Sequence, residues 1–225
     1  MPYVFRLSVH KNLTRSKTVA KMEDVLDVYE RPYNPSNPVV CVDETSRQLI
    51  KETRIPGTPE QPDLVDYEYE RNGVANVFMI FEPLKGKRET VVSETRTAVD
   101  FAHILQYTSD EMYPTADKIT LVTDNLNIHE TASLYKAFEP NEARRLANRF
   151  EWHYTPKHAS WLNMAEIELS VMSRQALARP FPDIESFTNQ IRAWNIRRNL
   201  QDSKVDWQFT TVDARVKLKH LYPIL

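Results

Sequence analysis

Glycine is nearly missing from this chain: three residues in 225, against 14 prolines. A glycine-rich phosphate cradle needs several glycines close together, so P-loop and dinucleotide-binding readings are excluded. Cysteine is rarer still. The one thiol, Cys41, rules out an internal disulfide, fits a reducing cytoplasm and argues against structural zinc, which usually draws on several thiolates. No run approaches the roughly 18 apolar residues of a membrane span. The first residues, "MPYVFRLSVHKNLTRSK", lack the apolar core of a secretory signal. Internal repeats and low-complexity tracts are also absent.

What remains is an ordinary globular composition, 41% apolar and 27% charged, long enough for one large domain with a proper core. The net charge of −2 speaks neither for nor against nucleic acid. Its distribution is more informative, because residues 171–225 carry nine Lys/Arg against five Asp/Glu. A solvated helix face explains such an excess, and so does a surface that tracks phosphates.

Residues 1–17 are basic and weakly patterned and read as a tail. Val19, Met22, Val25, Leu26 and Tyr29 then fall at helical spacing, and "NPSNP" breaks the chain. The run "PVVCVDET" (38–45) predicts a strand buried on both faces. Two β-rich stretches flank Asn72-Gly73, a strong hairpin signal, and "RETVVSE" predicts a third antiparallel strand. A helix over 97–114, a buried strand over 118–125, helices over 130–150 and the short strand "FEWHYTP" follow. Helices continue from there to the end. Strands and helices in this order predict an α/β fold, a mixed sheet with helices packed on its faces.

Two acids occupy equivalent places: Asp43 closes "VVCVD" and Asp124 closes "ITLVTD". In open α/β sheets the functional crevice lies beyond the carboxyl ends of the strands, and carboxylates there are hard ligands suited to Mg²⁺ or Mn²⁺. An Asp at a strand end is also a common turn former or helix cap. The stretch "HYTPKHASWLNMAEIELSVMSRQAL" adds two glutamates two residues apart. At about 100° per residue, Glu166 and Glu168 point to opposite edges of a helix. Leu162, Ala165, Leu169, Met172 and Ala176 form one apolar stripe, and Met164, Ile167 and Val171 a second, which predicts a sandwiched helix. Asn163, Glu166, Ser170 and Ser173 share one polar edge, Glu168 and Gln175 the other. Asn163 with Glu166 also fits a capping box, so periodicity alone leaves the choice open.

The segments "VVCVDE", "LVTDNLNIH" and "YTPKHASWLNMAEIE", in this order, resemble the catalytic core of DDE transposases of the bacterial insertion-sequence branch of the Tc/mariner superfamily. The resemblance runs over about 22–223. It implies a ribonuclease H-like mixed sheet flanked by helices, and two Mg²⁺ ions (Mn²⁺ as substitute) held by Asp43, Asp124 and Glu166. Glu168 is then left as a structural residue. The activity implied is metal-dependent DNA cleavage and strand transfer. The implied partners are transposon ends and target DNA, with a homodimer or full-length transposase as further partners, in a bacterial cytoplasm and with no membrane. Asn125, Lys157, His158, Ser160 and Asn163 belong to the same motifs. Of these, Asn125, Lys157, His158 and Asn163 are candidate nucleic-acid contacts, although each also reads as an ordinary loop or cap residue. His129 and His153 read as packing or hydrogen-bonding residues, and Trp152, Trp161, Trp194 and Trp207 as single core or sheet-covering aromatics.

Family members normally carry helix-turn-helix domains before this core, and residues 1–37 have no room for them. The expected organisation is a tail and helix over 1–37, the catalytic domain over 38–180 and a helical extension of it over 181–225. Without recognition helices, base-specific binding should be weak. Two alternatives stand beside the active core: a non-catalytic remnant that binds full-length transposase, and a ribonuclease H-type nuclease acting on RNA–DNA hybrids.

Overall fold

The computed structural model describes residues 3–52, 69–157 and 159–223. Helix α1 spans Tyr3–Tyr29 and so takes in residues that read as a tail. Strands β1 (Val39–Glu52), β2 (Tyr69–Glu82) and β3 (Lys87–Ser93) follow, then α2 (Ala98–Tyr107), which ends in a π-helical turn over Thr108–Met112. Next come β4 (Ile119–Thr123), α3 (Ala132–Ala137), α4 (Pro140–Ala147) and β5 (Phe150–Tyr154). Helices α5 (Met164–Ala176), α6 (Ile184–Leu200) and α7 (Thr211–Lys217) complete the chain.

The five strands form one mixed sheet in the order β3-β2-β1-β4-β5. β1 pairs antiparallel with β2 and parallel with β4, and β4 pairs parallel with β5. Strand alternation divides the core in two. Val39 and Cys41 face one way, with Met22 and Leu26 of α1, Met172 of α5, and Phe187 and Trp194 of α6. Val40 and Val42 face the other, with Phe101 and Leu105 of α2, Leu134 of α3 and Leu146 of α4. Helices therefore cover both faces of the mixed sheet, as expected.

Three local expectations fail. Asn72-Gly73 does not turn a hairpin, for β2 runs straight through it. Arg71 pairs with Ile50 and Val74 with Gln48, so two residues of β2 oppose Leu49 alone. Gly73, at φ 87°, absorbs the extra residue as a β-bulge. The stretch before it falls largely within 53–68, outside the described residues. The second stripe of α5 is only partly covered: Met164 is buried and Val171 half-buried against the core, but Ile167 is 41% exposed and its neighbour Glu168 is buried. Lastly, Trp161 and Trp207 are not singly placed. They stack at 6.4 Å between ring centroids, and Trp161 is largely exposed.

Candidate active site

The pairing between β1 and β4 covers only Val39–Cys41 against Thr120–Val122. Beyond it the two strands part. Asp43 therefore does not end β1; it sits inside a long strand just past the point of divergence, while Asp124 directly follows the last residue of β4. Open α/β sheets place their functional crevice where strands separate in this way. Here the crevice is a cleft of about 660 Å³ whose walls include Asp43, Asp124 and Glu166. The cleft continues into a second lobe along α5, lined by Glu166, Ser170 and Ser173, the polar edge expected from the helical projection.

Asn163 ties these walls together. Its Oδ1 accepts the Ala165 N–H and caps α5, while its Nδ2 donates to the Val42 carbonyl and to Asp43 Oδ2, each at 3.1 Å. Asn163 is the N-cap, but it forms no capping box with Glu166; the same amide fastens the first turn of α5, with Glu166, against β1. Its amide is thereby committed to protein partners, and the side chain is buried where it lines the cleft. The Tyr29 hydroxyl of α1 donates to the Leu162 carbonyl just before this turn. Of the other candidate contacts, Lys157 lines the cleft, as does Ser160 of the same motif. Asn125 does too, with its Oδ1 accepting from Lys21 Nζ at 2.9 Å. His158 lies outside the described residues.

Glu168 has a different environment. It is buried, with Oε1 2.8 Å from Arg198 Nη2 and Oε2 3.1 Å from Arg88 Nε. Gln175, on the same edge of α5, accepts from the Trp194 indole of α6. Glu168 faces the interior and is compensated there by both guanidinium groups, whereas Gln175 lies at the exposed end of the edge.

Two cleft residues were missed in the sequence. Because neighbours on a strand face opposite ways, Asp43 meets α5 while Glu44 turns toward the α2 face. There the Glu44 carboxylate lies 2.9 Å from His129 Nε2, an ion contact without in-line hydrogen-bond geometry. Arg96 Nη1 approaches Glu44 from the cleft mouth at 3.6 Å. The alternation made Glu44 findable beside Asp43; Arg96 carried no signal. His129 does make the hydrogen bond expected of it, to Asp124. His153 likewise bonds Asp24 at 2.8 Å.

The cleft is electrostatically unrelieved on one side. Burial pushes the Asp43 carboxyl up to about 7, and the nearby Glu44 and Asp124 carboxylates add to the shift, against the Glu44 N–H and His129. Burial disfavours charge on His129, but its Asp124 and Glu44 partners override that and carry it up to about 9. A crowded set of oxygen donors of this kind suits a hard divalent cation. Among the described residues, no three His, Cys, Asp or Glu side chains converge into a closed metal-binding group. That is compatible with Mg²⁺, which usually keeps several waters and takes one or two carboxylates plus substrate phosphates.

A family model described as DDE superfamily endonuclease matches residues 38–188. The chain belongs to that family. Its fold is similar to that in the crystal structure of the Mos1 strand transfer complex, with a TM-score of 0.51 and 16% identity over 88% of this chain and 63% of that one. The mixed five-stranded sheet with helices on both faces is thus the ribonuclease H-like arrangement. The Mos1 mariner paired end complex with Mn gives a TM-score of 0.47 at 16% identity, over 88% of this chain and 64% of that one. An intasome of simian T-cell lymphotropic virus in complex with PP2A regulatory subunit B56 gamma gives 0.35 at 12% identity, over 74% and 50%. The chain spans less than two thirds of the Mos1 chains it matches. No curated protein matches it. Among the described residues, no helix is long and apolar enough to cross a membrane.

Proposed function

We propose that this chain is the catalytic core of a Tc/mariner-type transposase, cutting and joining DNA strands at the cleft between β1, β4 and α5. The observation that carries the reading is the arrival of Asp43, Asp124 and Glu166, from three separate elements, on the walls of one open cleft. Family membership as an endonuclease supports the reaction class.

In this reading the three carboxylates hold two divalent cations, Mg²⁺ or Mn²⁺. The ions supply activation of the attacking oxygen and stabilisation of the leaving oxygen in an in-line displacement at phosphorus. Asp43, fixed by Asn163, would hold the cations together with Asp124 and Glu166. No side chain serves as nucleophile. Lys157 and Asn125, which line the cleft, with Lys21 bonded to Asn125, would meet the DNA backbone, contacts that position a duplex without reading its sequence.

The test is Mn²⁺-dependent nicking of supercoiled plasmid by the wild-type chain and by Asp43→Asn, Asp124→Asn and Glu166→Gln. Nicking by the wild type that each substitution lowers at least a hundredfold supports the assignment. Nicking that survives Asp124→Asn overturns it. Preferential cleavage of an RNA–DNA hybrid over plasmid would replace the transposase reading with a ribonuclease H-type one.

A further inference from the structure

Asp124 stands at the loose end of β4, where a carboxylate can rotate about its last torsion and present either oxygen to the cleft. Its Oδ1 is held from two sides, accepting the Leu126 N–H at 3.1 Å and a short hydrogen bond from His129 Nδ1. His129 is itself immobilised. It is fully buried, and its ring packs at 4.4 Å between centroids against Phe101 of α2. On its far side, Nε2 lies 2.9 Å from Glu44 Oε2, whose side chain is 1% exposed. Glu44 is anchored in turn by its strand and by Arg96 at the cleft mouth. A continuous row, Asp124–His129–Glu44–Arg96, thus runs from one wall of the cleft through the α2 side of the sheet and back to the opening.

We infer that His129 and Glu44 are positioning residues: they lock the rotation of the Asp124 carboxylate so that Oδ2 is the oxygen offered to a divalent cation. The inference rests on the proposal that Asp124 is a metal ligand. Packing alone does not account for the arrangement. A buried ring that only filled space would not place a carboxylate against each of its nitrogens, because the Glu44 carboxylate would have to leave water with it. A partner that orients a ligand typically raises metal affinity 10- to 100-fold.

The experiment measures Mn²⁺ binding to the full chain without DNA, through the electron paramagnetic resonance signal of free Mn²⁺, together with plasmid nicking as a function of Mn²⁺. His129→Leu should weaken Mn²⁺ binding by roughly tenfold. At saturating Mn²⁺ it should regain most of the maximal nicking rate. His129→Asn keeps an N–H donor near the position of Nδ1 and should restore affinity to within about threefold of wild type, a rescue that mere space-filling would not give. Glu44→Gln, which keeps shape and removes charge, should weaken binding in the same direction by less. Unchanged affinity in a folded His129→Leu, or a loss that His129→Asn does not relieve, overturns the inference. Should His129→Leu fail to fold, Glu44→Gln decides, and unchanged Mn²⁺ affinity there overturns it. Asp124→Asn separates the two levels. If it binds Mn²⁺ like the wild type, the metal assignment itself falls; if it loses Mn²⁺ while His129→Leu does not, only the positioning role falls.

Discussion

Glu166 and Glu168 lie two residues apart on one helix, and their surroundings are opposite. Glu168 is buried between Arg88 of β3 and Arg198 of α6, with its charge matched twice over. Glu166 borders an open cleft whose other walls carry Asp43, Glu44 and Asp124. A fold normally neutralises a buried acid and solvates an exposed one. The cleft does neither completely: it gathers carboxylates around a partly buried Asp43 and leaves it with a raised affinity for protons. Unrelieved charge of this sort costs stability, and in the proposed reading it marks the side of α5 used for chemistry. The compensated side holds β3, α5 and α6 together.

The largest expected effect tests that division directly. Glu168→Ala leaves the fully buried Arg88 guanidinium without its counter-charge, a loss of about 3–5 kcal/mol. For a chain of this size that lowers the melting temperature by roughly 10 °C. Glu166→Ala should leave the melting temperature within about 1–2 °C of wild type and abolish nicking. Thermal unfolding of both variants beside the nicking assay decides the matter. Equal losses of stability would break the comparison.

A second variant probes how tightly the compensated side is built. Arg88 Nη2 donates to the Ser203 carbonyl at 2.9 Å, and Gly86 makes room for that backbone. A Cβ at Gly86 would stand 2.9 Å from both the carbonyl carbon and oxygen of Ser203, at a φ of 68° that L side chains resist. Gly86→Ala should cost about 2 kcal/mol, read by denaturant titration. Gly73, also at positive φ but with open space around it, should lose only about half as much on conversion to Ala. Near-equal losses would mean that the approach of Ser203 is slack.

Substitution on the cleft side should have the opposite sign. Asp43→Asn removes the most crowded charge, so in the presence of a chelator it should raise the melting temperature by about 2–4 °C, or roughly 1 kcal/mol, while nicking is lost. Differential scanning calorimetry of the metal-free chain reads it. A fall in melting temperature would show that Asn163 and the Glu44 N–H already compensate Asp43.

How much of this could be read in advance follows from where the information lies. The runs at 38–42 and 119–122 are apolar but for Thr120 because both faces of those strands are covered, and that signal is local. So is Asn163, whose cap is formed with a residue two positions on. The failures share a cause. The partners of Glu168 lie 80 and 30 residues away, and no helical projection of α5 contains Arg88 or Arg198. Projection alone took the Ile167 side of the helix for apolar interior, when a buried ion pair occupies the neighbouring position. Gly73 has the backbone of a turn, but the long β1 pairs with β2 on both sides of it, so β2 continues and the glycine makes a bulge. Glu44 was within reach, because a strand that sends Asp43 to one face sends its neighbour to the other. Arg96 arrives from the start of α2 and depends entirely on tertiary placement.

A third acid, Glu151 on β5, gives the comparison its weakest case. Its carboxylate is bidentate with Arg31, at 3.0 and 3.1 Å, and both side chains are about two-fifths exposed. The Arg31 hydrogen bonds hold its carboxyl down to about 2, against the opposing effect of burial. A depressed carboxyl stabilises the fold above its unfolded value near 4.5, and that stability is lost as pH falls toward 2. Solvent screening limits the pair to under about 1 kcal/mol, so Arg31→Ala should lower the melting temperature at pH 7 by no more than about 2–3 °C. The gap between variant and wild type should close as both are taken from pH 5 to pH 2. A gap that persists at pH 2 would mean that Arg31 acts through packing of its stem rather than through Glu151. A loss at pH 7 as large as that of Glu168→Ala would mean that burial is not what separates the two ion pairs.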